Sequence, residues 1–169
     1  MISIRQANAA DATCIVDILR EAALWLEGQG IPMWAEGEIM PQRIIDDVSR
    51  SVEGGTFYLA ELDGESAGVF RLQLEDERFW PDVPAGESVF VHRLAVRRKF
   101  AGRGISTAIL DWVAQRGREM GRKYLRLDCE ASRPRLRAIY ERFGFRHHSD
   151  RQVGPYYVAR YEYPLSPGA

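Results

Sequence analysis

Cysteine is scarce in this sequence. The 169 residues hold two, Cys14 and Cys129, too few for a disulfide framework, and neither has neighbours at metal-ligand spacing, so no metal is expected. There is no run of about 18 apolar residues, so no membrane-crossing helix is expected. The opening Met1-Ile2-Ser3-Ile4-Arg5 lacks a basic segment followed by an apolar one, so no signal peptide is expected either. With so little cysteine, these absences point to the reducing cytoplasm. Linkers rich in Pro, Ser or Gly, internal repeats and low-complexity stretches are also missing, and residues 1–169 read as a single domain. What is present fits a globular chain: 46% of residues are hydrophobic and 28% charged, which excludes a disordered or collagen-like polymer.

The formal net charge of −1 conceals an asymmetry. Residues 1–90 carry 6 Arg and no Lys against 17 Asp and Glu, a balance of −11. Residues 91–169 carry 15 Arg and 2 Lys against 7 acids, a balance of +10. Either the basic half meets an anion, or the two halves neutralise each other in the fold.

Period and punctuation give the elements. Ile2 and Ile4 alternate with polar residues as a short strand, and Asn8 offers an N-cap with Asp11 three residues on. Ile15, Ile18, Leu19, Ala22 and Leu26 follow at helical spacing, with Gly28 and Gly30 as stops. A second, weaker helix spans residues 38–51. Residues 57–62 and 67–74 read as antiparallel strands around an Asp63-Gly64 turn, and residues 88–96 as a third strand. A helix from Ile105 closes near Gly117 or Gly121, and residues 124–129 form a strand. Pro134 then opens a helix whose apolar stripe is Leu136, Ile139, Tyr140 and Phe143, with Gly144 as its stop. Residues 145–148 and 156–163 complete the chain as strands. The order β-α-α-β-β-β-α-β-α-β-β describes a mixed α+β sheet with helices on both faces, in which strand 88–96, helix 105–120 and strand 124–129 form a βαβ unit.

The segment from Val91 to Thr107 carries the chemistry. A strand runs through Arg97-Arg98-Lys99-Phe100-Ala101-Gly102-Arg103-Gly104 straight into a helix beginning Ile105-Ser106-Thr107. The first amides of a helix have no intrahelical acceptor, the dipole leaves partial positive charge there, and glycines admit close approach, so this pattern cradles phosphates. It lacks the Gly-Lys-Ser/Thr of a Walker loop, and Thr107 stands where a dinucleotide fingerprint needs its third glycine. A tight turn that merely uses glycine remains the competing reading.

The stretch from His92 to Thr107, followed by Tyr140-Glu141-Arg142-Phe143-Gly144-Phe145 after the helix, resembles the GNAT superfamily of N-acetyltransferases. That family carries Q/R-x-x-G-x-G/A at the start of its central helix and Tyr-x-x-x-Gly-Phe near its end. The resemblance spans essentially the whole chain. It implies a central, mostly antiparallel mixed sheet of about seven strands and acetyl-CoA as co-substrate. It implies a cofactor site of Leu94, Ala95, Val96, Ala101, Gly102, Arg103, Gly104, Ile105, Ser106, Thr107 and Arg133, in which the pyrophosphate meets Arg103 to Thr107 with Gly102 shaping the approach and the pantetheine lies along the strand near Leu94 and Val96. This chain departs from the pattern at three positions. Ala101 holds the Gln/Arg position, Ser106 the last small position, and Arg133 stands where an Asn usually precedes the tyrosine by seven. Arg cannot accept the helix amides an Asn would cap, which leaves Ser132 as the candidate cap.

Tyr140 matches the family's general acid, although periodicity alone makes it equally a core residue. For the base, His92 in strand 88–96 is a residue type suited to relay a proton near neutral pH, while Glu75, within the Glu75-Asp76-Glu77 triplet, is a carboxylate alternative acting through water. Either residue type could instead be structural. Trp25, Trp34, Phe79 and Trp80 are the expected lining of an acceptor pocket, with core packing as the alternative, and Cys129 reads as a buried, inert thiol. The expected activity is acetyl transfer to a small-molecule or peptide amine. A non-catalytic acyl-CoA-binding module is the alternative, nucleic acid and membrane are not expected partners, and a homodimer is left open.

Overall fold

Asn8 opens the first helix through a reciprocal cap. Its side chain accepts from the Ala10 amide at 2.9 Å, while Asp11 accepts from the Asn8 amide at 2.8 Å. This capping box fixes a short 3-10 turn leading into α1 (Ala12–Gly28), which buries Ile15, Ile18, Leu19, Ala23 and Leu26. The computed structural model describes residues 1–31 and 40–165. Trp34 and the expected start of the second helix at Glu38 lie outside the described residues. That helix, α2, is Gln42–Glu53.

The strands are β1 (Ile2–Gln6), β2 (Phe57–Leu62), β3 (Glu65–Gln73), β4 (Ser88–Val96), β5 (Tyr124–Glu130), β6 (Arg146–Val153) and β7 (Tyr156–Pro164). They form one seven-stranded mixed sheet in the order β1-β2-β3-β4-β5-β7-β6. Asp63 and Gly64, at φ of 53° and 85°, make the β2–β3 turn with both central residues left-handed, the form that suits a two-residue hairpin. The β4–β5 pair is parallel and joined by α3 (Ile105–Glu119), the expected βαβ unit. Its register runs from Ser88↔Tyr124 to Phe90↔Arg126 and stops there, although β4 continues to Val96 and β5 to Glu130. Just beyond, Arg93 adopts φ 55°, a left-handed residue in mid-strand that breaks the alternation of side chains. Between β5 and β6 runs α4 (Pro134–Phe143). Among the described residues no helix is long and apolar enough to cross a membrane.

The chain's contacts group into two compact units, residues 1–71 with 93–109, and residues 72–92 with 110–169. The first has its core in Ile15, Ile18, Leu19, Val48, Val52, Phe57, Leu59, Val69 and Ala95. Within it Gly68 sets how closely α3 begins. A Cβ there would stand 3.0 Å from the Ala95 carbonyl oxygen and 3.1 Å from Ile105. The second unit buries Val89, Leu110, Val113, Leu125, Leu127, Tyr140 and Tyr161. Of the two glycines expected to close α3, Gly121 follows its end at Glu119, and Gly117 comes before that end. It lies inside the helix because a Cβ would meet Leu165 at 2.5 Å and Val89 at 3.0 Å, so it serves close packing.

Candidate active site

In the first unit, Arg97 leaves β4 with its amide bonded to the Ala67 carbonyl at 2.8 Å, and a 3-10 turn (Arg98–Phe100) leads into the glycine loop. Gly102 and Gly104 both take positive φ, 76° and 82°, where an L side chain is strained, and a Cβ at either would meet nothing within 4 Å. The glycines are thus needed for backbone shape, and the space beside them is open. The Ala108 amide closes on the Gly104 carbonyl at 3.0 Å, so the amides of Ile105, Ser106 and Thr107 precede the first helical bond of α3. The amides of Ala101 and Arg103 are spent locally on Arg98 and Phe100. Such a strand–loop–helix turn presents clustered N–H groups to an anion.

The cations of this loop are partly engaged. Lys99 pairs with Glu65, Arg97 lies 3.5 Å from Glu21, and the Arg98 amide donates to Glu21 at 2.9 Å. The Arg98 guanidinium stacks 4.0 Å from the centre of the Trp25 ring, and that of Arg103 lies over Phe100. Trp25 is thereby held by the loop and remains 38% exposed. Leu94 and Val96 are half-buried, and Ala95 between them faces the core.

In the second unit, His92 on β4 meets a carboxylate. Its Nε2 lies 2.8 Å from Asp76 Oδ2, and Asp76 Oδ1 accepts the amides of Phe79 at 2.9 Å and Arg78 at 3.2 Å. Burial works against the Asp76 anion, but His92 and these two amides outweigh it and hold the carboxyl below its ordinary range. An ionised Asp76 only accepts, so His92 Nε2 carries the hydrogen, and Nδ1 is the ring nitrogen that holds the lone pair when the ring is neutral. The sequence singled out Glu75 from the acidic triplet. Glu75 is exposed and accepts from the Gly86 amide at 3.3 Å, and the residue on His92 is Asp76.

The loop that carries Asp76 is braced by two buried arginines. Arg160 grips Asp82 with two bonds of 2.6 and 2.9 Å and donates to the Phe79 carbonyl and Ser149. Arg126 bonds Glu87, Ser88 and Glu162. Trp80 lies between them, 2% exposed, with Arg160 at 4.5 Å and Arg126 at 5.4 Å from its ring. Phe79 lies 6.1 Å from the His92 ring. Phe79 and Trp80 therefore accompany His92, whereas Trp25 accompanies the glycine loop.

Asp128 on β5 went unremarked in the sequence. Its acceptor atom lies within 4.8 Å of those of Asp76 and His92. Burial pushes its carboxyl up to about 6, with Asp76 adding to the rise and His92, Trp80 and Arg160 opposing it. The Trp80 indole N–H favours the Asp128 anion, but neither Trp80 Nε1 nor Asp128 Oδ2 reaches hydrogen-bond geometry. The run Tyr124-Leu125-Arg126-Leu127-Asp128-Cys129 alternates apolar and charged residues, so Asp128 read like Arg126 as part of the polar face of a strand. Among the described residues these three form the one cluster close enough to share a cation. Within the cluster His92 Nε2 is already partnered by Asp76.

Tyr140 on α4 is 6% exposed and packs against Phe145 and Tyr161, ring centres 5.8 and 6.2 Å away. Burial raises its phenol further above the ordinary range, so it keeps its proton at neutral pH. Arg137 steadies the helix by bonding the Tyr161 hydroxyl at 2.9 Å and the Ala131 carbonyl at 3.1 Å. Arg133 occupies the N-cap position with no side-chain cap, so Ser132 does not take over that task. Pro134 at the first turn removes one donor that would need capping. Ile139, expected on the apolar stripe, is 41% exposed. Cys129 is buried, and burial pushes its thiol up to about 11, in keeping with an inert group.

Residues 19–145 match the Acetyltransferase (GNAT) family. The chain is 34% identical over 140 residues to YesJ, an uncharacterized N-acetyltransferase of Bacillus subtilis strain 168, covering 80% of this chain and 76% of that one. A GNAT-family acetyltransferase structure from Listeria monocytogenes 4b F2365 superposes with a TM-score of 0.76 at 25% identity, covering 96% and 95% of the two chains. PaiA N-acetyltransferase of Thermoplasma acidophilum, solved in complex with coenzyme A, has a TM-score of 0.70 at 16% identity over 96% and 99%, a likeness of fold. Both the strand–loop–helix turn and the run from Tyr140 to Phe145 fall within the matched residues, and the chain belongs to the GNAT family of N-acetyltransferases.

Proposed function

We propose that this protein, as one domain, transfers the acetyl group of acetyl-CoA to a primary amine by direct attack in a ternary complex. The observation that carries the reading is the glycine loop. Two left-handed glycines with open space beside them lead into helix amides without intrahelical acceptors. This arrangement fits a pyrophosphate, with Gly104, Ile105, Ser106 and Thr107 as donors and Arg103 beside them. The main chain of Leu94–Val96 supplies a strand edge for the pantetheine arm and N–H donors for the oxyanion.

His92 is assigned as the base. With Nε2–H held by Asp76, Nδ1 takes a proton from the acceptor ammonium and releases the neutral amine. The amine nitrogen attacks the thioester carbonyl, an N–C bond forms, and the C–S bond breaks. Tyr140 gives its proton to the departing thiolate and recovers one from the nitrogen of the new amide, while His92 passes the first proton to solvent. Asp76 positions the ring throughout. Coenzyme A release, followed with a thiol reagent over a panel of alkylamines, amino sugars, amino acids and peptide N-termini, tests the reading. Acetyl-CoA-dependent release with at least one amine is expected. Tight coenzyme A binding with no amine-dependent release would favour a non-catalytic acyl-CoA-binding module, the alternative to which Ala101 and Arg133 lend weight.

A further inference from the structure

Asp128 takes no part in the chemistry above, yet it adjoins the assigned base. Asp76 is fully used, Oδ2 by the imidazole and Oδ1 by two amides. Asp128 is not, since its Oδ2 is enclosed and bonded to nothing. The indole N–H of Trp80, a residue 2% exposed, is also enclosed and unbonded, and it acts on the same carboxylate. Asp128 thus faces an indole donor just outside bonding geometry and lacks the anchoring bonds that hold Asp76. Every element around Asp128 contributes to its setting. His92 faces it from β4, Asp76 and Trp80 from the loop, Tyr140 from α4, Arg160 from β7 together with its partners Asp82 and Ser149, and Cys129 from the adjoining position. Arg160 is engaged by Asp82, Ser149 and the Phe79 carbonyl, so the group that takes up a new positive charge beside Asp128 is the His92 ring.

We propose that Asp128 is a positioning carboxylate that shares with Asp76 the positive charge arising on His92 when the ring takes the acceptor's proton. This rests on the reading of His92 as base. In that step one N–H bond breaks on the ammonium and one forms on the imidazole, and Asp128 neither gains nor loses an atom. A ring held by Asp76 alone would carry its charge against one anion. With Asp128 it lies against two, in surroundings that screen little. The two carboxylates are differently prepared. Asp76 is fixed as an anion by its bonds, whereas Asp128 lies near the ring without bonding it, so its interaction with the ring is through charge and strengthens when the ring is charged.

Two measurements on the full chain test this. The side-chain carboxyl carbon of Asp128, followed by NMR against pH, should titrate at higher pH in His92→Gln than in the unsubstituted protein, because an opposing positive charge is gone. By reciprocity, Asp128→Asn should move the acid limb of kcat, measured with the best amine of the panel, to lower pH by about half a unit or more, with KM for acetyl-CoA unchanged. A purely structural aspartate would not move that limb. An Asp128 titration indifferent to His92→Gln, or an acid limb unmoved in Asp128→Asn, overturns the proposal. The first measurement needs neither activity nor a folded Asp128 variant. If the carboxyl responds but His92→Gln retains full turnover, the reading of His92 as base falls and takes the proposal with it. If His92→Gln abolishes turnover while Asp128→Asn leaves the limb in place, only the proposal falls. Stoichiometric Zn²⁺ binding abolished by Asp128→Asn would make the cluster a metal site and also overturn it.

Discussion

Burial does two things to Tyr140. It packs the ring against Phe145 and Tyr161, and it raises the phenol, so that the hydroxyl is protonated at neutral pH and its transfer to the thiolate depends on positioning and on recovering a proton from the new amide. Tyr140→Phe keeps the first effect and removes the second. We expect turnover at saturating acetyl-CoA to fall on the order of 10²-fold while coenzyme A affinity, measured by calorimetry, stays within about twofold. Unchanged turnover would remove Tyr140 from the mechanism. The tyrosine was legible in the sequence because its spacing to Gly144 and Phe145 is local. The carboxylates were not. Which member of Glu75-Asp76-Glu77 meets His92 depends on the turn that Asp76 itself caps through the amides of Arg78 and Phe79, and that turn follows the strand signal. Asp128 joins the other two only because β5 pairs in parallel with β4, a contact between distant parts of the chain.

At the scale of elements, local signals carried furthest. The Asn8–Asp11 cap, the Asp63-Gly64 turn, β4 at Ser88–Val96 and α4 at Pro134–Phe143 fall where caps, glycines and proline placed them. Where packing decides, sequence signals faded. Gly117 looks like a helix stop but is a close-contact residue, and β6, Arg146-His147-His148-Ser149-Asp150-Arg151-Gln152-Val153, has no apolar alternation to announce its length. The glycine loop combines both kinds of information, and its contribution can be isolated. Gly104→Ala places a Cβ in open space at φ 82°, so its cost is conformational, about 1 kcal/mol. Gly154→Ala, at φ 56° and also in open space, is the control with a similar cost. Both variants should lose similar stability in urea unfolding. Only Gly104→Ala should weaken acetyl-CoA, by roughly tenfold, because its methyl group stands where the loop amides meet the anion. Equal coenzyme A affinity in the two variants would mean that the loop is only a turn.

For the whole molecule, the division of charge along the sequence is a poor guide to the field a ligand meets. Folding regroups the chain so that basic residues 93–109 join the acidic N-terminal segment. The unit of residues 1–71 and 93–109 holds ten basic and twelve acidic residues, and the unit of residues 72–92 and 110–169 holds thirteen and twelve. A split of −11 and +10 along the chain thus becomes −2 and +1 in the folded units. The pairs Lys99–Glu65 and Arg97–Glu21 show this neutralisation at the glycine loop itself. What remains for an anion is local, namely helix amides, Arg103 and whatever the paired cations can spare. On the proposed reading, such a site would hold a small phosphate ligand through short-range contacts. Raising NaCl from about 50 to 500 mM should therefore weaken acetyl-CoA by less than about tenfold in calorimetric titration, since short-range contacts are screened less than a long-range field. A polynucleotide needs many phosphate contacts over a broad face, and that mode loses on the order of 10³-fold or more between 50 and 200 mM salt. Fluorescence anisotropy with a labelled 20-nucleotide single strand should accordingly show no saturable binding at about 150 mM salt. Saturable binding there, competed by acetyl-CoA, would mean that the basic residues form a continuous surface despite their acidic partners.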